Sequence, residues 1–338
     1  MVSQELPRPS SKEVLNRRRG GGVIDTVATT ISSSLLVAIL TLVLAMAGVA
    51  HAQDGSSPNQ GPELTLSGRM WGTSGYSDRK IGAGGLDRLS ELRFRGVDSL
   101  VPEFNIDVVW RRLVALGAIG GGVIDTGVLI DEDFENSGER SGRTRSSIED
   151  SYLFYVSADI GARVWDWMVP GAAARGYVDL LLGYQYWQEH YEAFGATGFP
   201  ATVPDGVKAL LNKFEWHSLR VGARTQQPLY RGLSLSLRGY FIPWNFVVIK
   251  DVHYLRSDLR RDPSFRDEAD GGTGWQADGA LQYTVNMHLT VEAGFRYWKL
   301  ESAKGEDIAF TTAGTFRQRL REASTERYGP FVGVRWRF

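Results

Sequence analysis

After its first fifty residues this chain consists of segments in which every second residue is apolar, and that period-2 alternation limits its possible folds more than any other property. From Leu289 the odd positions read Leu289, Val291, Ala293, Phe295 and Tyr297, while the even ones read Thr290, Glu292, Gly294 and Arg296. Successive side chains of a strand point to opposite faces, so the segment has one face for an apolar medium and one for water. The same split separates Tyr152, Phe154, Val156, Ala158 and Ile160 from Ser151, Tyr155, Ser157 and Asp159. It recurs in Val178, Leu180, Leu182, Tyr184 and Tyr186 against Asp179, Gly183 and Gln185, and in Leu233, Leu235 and Leu237 against Ser234, Ser236 and Arg238. Soluble sandwiches alternate too, so the class depends on the rest of the chain.

Arg17-Arg18-Arg19 precedes a nearly uncharged stretch from Val27 to Val49, and Ala50-His51-Ala52 has the small-x-small pattern that a signal peptidase reads. Residues 1–52 are therefore expected to be a signal peptide and 53–338 the mature domain, with a retained membrane anchor as the alternative. No second long apolar run follows, so no further membrane helix is expected. The absence of cysteine excludes disulfides, thiolate nucleophiles and cysteine-based zinc sites, and it suits passage through an oxidising compartment. A net charge of −1 lacks the basic excess of a nucleic-acid-binding protein.

The chain end decides between barrel and sandwich. Val332, Val334, Trp336 and Phe338 alternate with Gly333, Arg335 and Arg337, and the last residue is aromatic. This resembles the terminal strand that the outer-membrane assembly machinery recognises in bacterial barrel proteins. The expected fold is all-β, a ten-stranded antiparallel transmembrane β-barrel with long extracellular loops. Its strands are expected near 63–77, 88–98, 103–118, 148–161, 174–192, 209–225, 232–249, 273–285, 288–301 and 322–338. The joins at Val101-Pro102, Val169-Pro170-Gly171, Gln227-Pro228 and Val285-Asn286 are short and would face the periplasm. Those at 78–87, 119–147, 193–208, 250–272 and 302–321 are long and would face outside.

Two acidic motifs fall in the second and fourth long segments. Asp251-Val252-His253-Tyr254 places a carboxylate two residues from one of only five histidines, on the same face of an extended backbone. There the acid can fix the imidazole tautomer and stabilise its protonated form. Asp131-Glu132-Asp133 sets two carboxylates at the same spacing, where mutual repulsion lets one keep a proton. Strands three and seven of a ten-strand ring stand near opposite walls, so the motifs would meet across the outer mouth. Plainer readings are a solvated acidic loop or weak Ca²⁺ site for Asp131, Glu132, Asp133 and Glu135, and an inert surface pair for Asp251 and His253.

With these residues in place, the chain resembles the omptin family, the ten-stranded outer-membrane endopeptidases of Gram-negative bacteria. The likeness runs faintly from Leu66-Ser67-Gly68 through Leu89-Ser90-Glu91-Leu92 to the final strand. It is sharp at Ile130-Asp131-Glu132-Asp133-Phe134, similar to the family's Asp-x-Asp-aromatic element, and at Asp251-Val252-His253-Tyr254-Leu255-Arg256, similar to its Asp-x-His-Tyr element. The resemblance implies an aspartic-type endopeptidase in the outer membrane, its groove facing outside, that hydrolyses extracellular peptides or proteins without an acyl-enzyme. His253 would be the general base, Asp251 its orienting partner, and Asp131 and Asp133 the holders of the attacking water and of the tetrahedral species.

The resemblance implies no cofactor beyond lipopolysaccharide, whose phosphates the family binds with basic residues on the barrel exterior. Lys213, just before Phe214, lines up with that role, and a snorkelling surface lysine is the other reading. The expected partners are a peptide or protein substrate, outer-membrane lipid and the barrel assembly machinery, with no nucleic acid. Relatives that cut between basic residues carry acids where this chain has Ile249 and Gly72, so its substrate-binding groove is expected to be less selective for charge. Glu149 and Asp150 are the neighbouring acids that could compensate. The rival reading is a catalytically inactive barrel serving as adhesin or structural protein.

Parity running from Leu233 puts Asp251 and His253 on the lipid-type face, so a phase change near Pro243 is required for them to face the groove. Gly20-Gly21-Gly22-Val23-Ile24-Asp25-Thr26 recurs as Gly120-Gly121-Gly122-Val123-Ile124-Asp125-Thr126. Neither copy has the lysine of a phosphate-binding loop.

Overall fold

The computed structural model describes residues 61–82, 88–135, 138–172, 174–200 and 202–338. The expected signal peptide, 1–52, lies outside the described residues, as does the first copy of the repeat. Twelve strands follow in order: β1 (Glu63–Gly82), β2 (Ser90–Trp110), β3 (Leu113–Phe134), β4 (Arg140–Met168), β5 (Arg175–Phe199), β6 (Val203–Tyr230), β7 (Leu233–His253), β8 (Phe265–Asp270), β9 (Gly272–Thr284), β10 (Leu289–Ser302), β11 (Gly305–Thr311) and β12 (Gly314–Arg337). Neighbours from β1 to β7 pair antiparallel. β8 and β9 share the next position, both against β7, and β10 and β11 share the one after, both against β12. β12 pairs back onto β1 from Thr65↔Arg337 to Gly82↔Arg319, so ten positions close into a ring.

The alternation explains both faces of this ring. Outward side chains such as Leu100, Phe104, Ile119, Leu180, Leu182 and Val332 are exposed, although apolar. Outward aromatics flank them, with Tyr152, Trp244, Trp275 and Tyr328 toward one margin and Trp165, Tyr230, Tyr283 and Trp336 toward the other. An apolar band between aromatic girdles is the exterior of a transmembrane β-barrel.

The inward side chains fill the bore. Arg224 bonds Asp107 and Asp179, Arg220 bonds Asp159, and Arg296 bonds Glu103 and Asp278. Above these pairs Trp71, Tyr155, Trp187 and Trp298 pack with ring centroids 5.0–5.5 Å apart. Phe94, Tyr191 and Phe214 make a second aromatic layer. The barrel is plugged beneath the mouth that β3 and β7 reach.

The ten positions agree with the expected ten strands, but several boundaries do not. The expected turn at Val101-Pro102 lies inside β2, where Pro102 stands opposite Met70 and the ladder to β3 has no pair at either residue, so the missing N–H leaves no bond broken. The reversal comes instead at Arg111-Arg112. The turn expected at Gln227-Pro228 falls likewise at Arg231-Gly232. Arg111 and Arg231 take positive φ, 56° and 49°, which such tight turns require. Most of the expected loop 119–147 is strand: Gly120 lets the Tyr155 ring pass where a Cβ would come within 2.4 Å of it. The expected long loops are thus largely extended hairpins rising above the apolar band.

Candidate active site

Above the aromatic layers the walls carry a cluster of acids. The phase change expected near Pro243 is present: Tyr240 and Ile242 point inward, then Asn245, Val247, Ile249 and Asp251 do, with a register shift between Leu219↔Trp244 and Val221↔Phe241. This one bulge turns Asp251 and His253 from the lipid side to the mouth.

His253 Nε2 donates to Asp251 Oδ2 at 3.2 Å. Asp251 is fully buried, whereas the His253 side chain keeps 20% of its surface exposed. Ser264 fixes the backbone around both, since its N–H donates to the Asp251 carbonyl at 2.7 Å and its hydroxyl accepts from the His253 N–H at 2.9 Å. The edge of Phe265 packs on the imidazole at 5.3 Å.

On the opposite wall β3 presents Asp131 and Asp133 on one face, Asp131 half-buried and Asp133 exposed at the rim. Glu132 points the other way and is covered by Arg93, Arg140 and Arg143, so it is no part of the mouth. Removal from water between the walls, reinforced by Asp133, pushes the Asp131 carboxyl up to about 7. Burial disfavours a charged His253, but Asp251, and then Asp131 across the mouth, hold its pKa above the ordinary histidine value. Burial likewise opposes ionisation of Asp251, and His253 and Arg79 more than offset it, keeping that carboxylate below its usual range. Among the described residues no hydrogen bond joins Asp131 to His253, although each shifts the other's protonation.

The remaining sequence-derived residues divide. Ile249 is buried on the inward face just below Asp251 and forms part of the apolar floor. Gly72 does not reach the groove: it follows the inward Trp71, faces outward and stands opposite Leu100 in the apolar band. Glu149 and Asp150 are exposed on β4 beside the inward Ile148, with Glu149 accepting from Ser147, and neither lines the mouth. Lys213 lies on the outward face between Asn212 and Phe214 and pairs with Glu215 at 2.9 Å.

Sequence reasoning missed three charged residues. Arg79 of β1 is buried beneath Asp251, to which its Nη1 donates at 2.6 Å. Its other nitrogens donate to Asp267 of β8 (Nη2 at 2.8 Å, and Nε) and to Asp307 of β11 (Nη2 at 3.1 Å). These residues lay in segments read as loops, where no alternation was sought. At the rim, Arg256 is held by Asp258 through bonds of 2.7 and 2.6 Å.

No family model and no curated protein matches the sequence. Among solved structures, the outer membrane protease OmpT from Escherichia coli superposes with a TM-score of 0.69 over 84% of this chain and 99% of that one, at 14% identity. This chain shares the fold of OmpT. The translocator domain of the autotransporter NalP from Neisseria meningitidis matches 91% of this chain and 98% of its own at 12% identity, with a TM-score of 0.34. The likeness to OmpT extends over nearly all of that protein's length, so the resemblance first seen in two short motifs is matched by the whole barrel.

Proposed function

We propose that this protein is an outer-membrane endopeptidase that hydrolyses extracellular peptides or proteins through a water activated by His253. The observation that carries the reading is the Asp251–His253 hydrogen bond at the mouth of a plugged barrel, opposite a carboxyl held near 7. An ionised Asp251 can only accept, so it fixes the proton on Nε2 and leaves Nδ1 as the base. A water between the walls would lose its proton to His253 as it attacks the scissile carbonyl. Asp131, sharing a proton with Asp133, would hold that water and donate toward the developing oxyanion. The protonated imidazole, stabilised by Asp251, would then supply the leaving amine.

The plugged bore and the fold shared with an outer membrane protease support a surface groove over a channel. A purely structural or adhesive barrel gains nothing from burying Asp251 with its Oδ1 unpartnered among the described residues, an arrangement that costs stability. The signal peptide, the outward-facing orientation, aid from the barrel assembly machinery and lipopolysaccharide contact through Lys213 belong to the same proposal.

The test is digestion of a peptide library by purified protein reconstituted with lipopolysaccharide-containing lipid, alongside His253→Ala. The expected result is cleavage by the parent protein alone, undiminished by chelators. Equal cleavage by both, or dependence on added Ca²⁺ or Zn²⁺, would overturn the reading.

A further inference from the structure

Asp251 has two donors beside it, and both use the same oxygen. Arg79 Nη1 donates to Oδ2 at 2.6 Å and His253 Nε2 to that oxygen at 3.2 Å, while Oδ1 has no hydrogen-bond partner among the described residues. The shorter contact belongs to the arginine. Arg79 is itself gripped from two further strands by Asp267 and Asp307, and its guanidinium lies over the Phe265 ring at 5.6 Å, the ring whose edge abuts His253.

We propose that Arg79 is a positioning residue of the site: it fixes the Asp251 carboxylate and, by drawing on the oxygen that the imidazole uses, lowers the basicity of His253. This rests on the reading of Asp251 and His253 as the water-activating pair. A buried carboxylate bonded only to His253 would hold the imidazolium more tightly and make it a poorer donor in the second half of the reaction. A guanidinium stays charged throughout the pH range of activity, so its restraint does not titrate. A planar fork bonded at three corners also leaves Asp251 little freedom to rotate away from His253.

The charges around the pair agree with this role. Facing it are Arg79 from β1, Asp131 and Asp133 from β3, Asp267 from β8, Asp307 from β11 and Arg256 from the loop after β7. Burial, and then Asp267, push the Asp307 carboxyl up to about 9.

The experiment compares Arg79→Met, Arg79→Lys and Asp267→Asn with the parent in lipid-reconstituted form, using two readouts. The first is the pH profile of kcat/KM on a peptide selected from the library. The second is an NMR titration of His253, which requires no proteolysis. Removing a positive charge this close to His253 raises its pKa, so in Arg79→Met both the titration midpoint and the acid limb of the profile should move up by about one pH unit. kcat should fall about tenfold to a hundredfold with little change in KM, and Arg79→Lys should recover part of both. If Arg79→Met does not fold, Asp267→Asn serves instead: it removes the Nε bond and one of the two Nη2 bonds that draw Arg79 away from Asp251, leaves the bond to Asp307, and should move the His253 midpoint down. An unmoved midpoint in whichever variant folds would overturn the proposal. A shifted midpoint in a protein that cuts nothing would keep the electrostatic role and discard the protease reading.

Discussion

The bore and the mouth of this barrel are both lined with charged residues, yet they are organised differently. In the bore, cations and anions match: Arg220 meets Asp159, Arg163 and Arg224 meet Asp179, Arg224 also meets Asp107, Arg238 and Arg296 meet Asp278, Arg296 also meets Glu103, and Arg69 meets Glu292. In the mouth, Asp131, Asp133, Asp251, Asp267 and Asp307 outnumber Arg79 and Arg256, and among the described residues Asp251 Oδ1 and Asp307 Oδ2 have no hydrogen-bond partner. Matched buried charge makes a plug, while surplus carboxylate beside a histidine keeps protons in play near neutral pH. The same inward-facing pattern thus serves stability below and, on the proposed reading, chemistry above.

The sharpest way to break this comparison is to remove chemistry from the mouth alone. His253→Ala and Asp131→Ala should each lower kcat/KM by about 10²–10⁴ while the barrel keeps its heat-modifiable migration on a gel. Loss of folding in either variant would mean that the mouth is structural like the bore.

The converse experiment strikes the bore. Arg296→Met leaves Glu103 and Asp278 buried with fewer partners, and breaking such a pair should destabilise the barrel by about 3–5 kcal/mol in urea unfolding. Arg88→Met, which removes a half-exposed pair with Glu91 at 3.5 Å, should change stability by less than about 0.5 kcal/mol. Equal effects would show that the plug is not what holds the walls together.

How much of this was legible in the sequence follows the same division. The alternation yielded the all-β class and the number of wall positions because lipid outside and polar partners inside impose period 2 on every strand. Boundaries failed where turn chemistry was disguised: Arg111-Arg112 has no glycine, and Pro102 looks like a break although it sits where β2 lacks a ladder bond to β3. In the site, Asp131, Asp133, Asp251 and His253 were legible because each pair shares a strand at i, i+2. Arg79, Asp267 and Asp307 come singly from three strands distant in sequence, and no local spacing announces them. Gly72 was misplaced by reading it as the position after Ser67-Gly68-Arg69, since β1 continues ten residues beyond it, to Gly82, and reaches the mouth only at Arg79.

A smaller effect probes the coupling across the mouth. The charge on Asp131 raises His253, so Asp131→Asn should lower the His253 midpoint measured by NMR. Any residual activity should then extend to lower pH, because the base is neutral over more of the range. An upward movement would show that Asp131 carries its proton over the whole range and contributes no charge.

The smallest expected effect concerns what is cut. A pocket that grips a substrate arginine needs a carboxylate free to accept its bonds, and such a charged contact is worth about 1.5–3 kcal/mol. In this mouth Ile249 offers none, Gly72 is on the outer wall, and the acids beneath His253 already enclose Arg79. At the rim Asp258 is engaged by Arg256. Matched peptides with Arg-Arg or Ala-Val at the scissile bond should therefore differ in kcat/KM by less than about tenfold, well short of what one such contact would give. A preference of a hundredfold or more for Arg-Arg would identify Asp131 or Asp133 as a binding carboxylate as well as a catalytic one, and would erase the distinction between acids that hold water and acids that hold substrate.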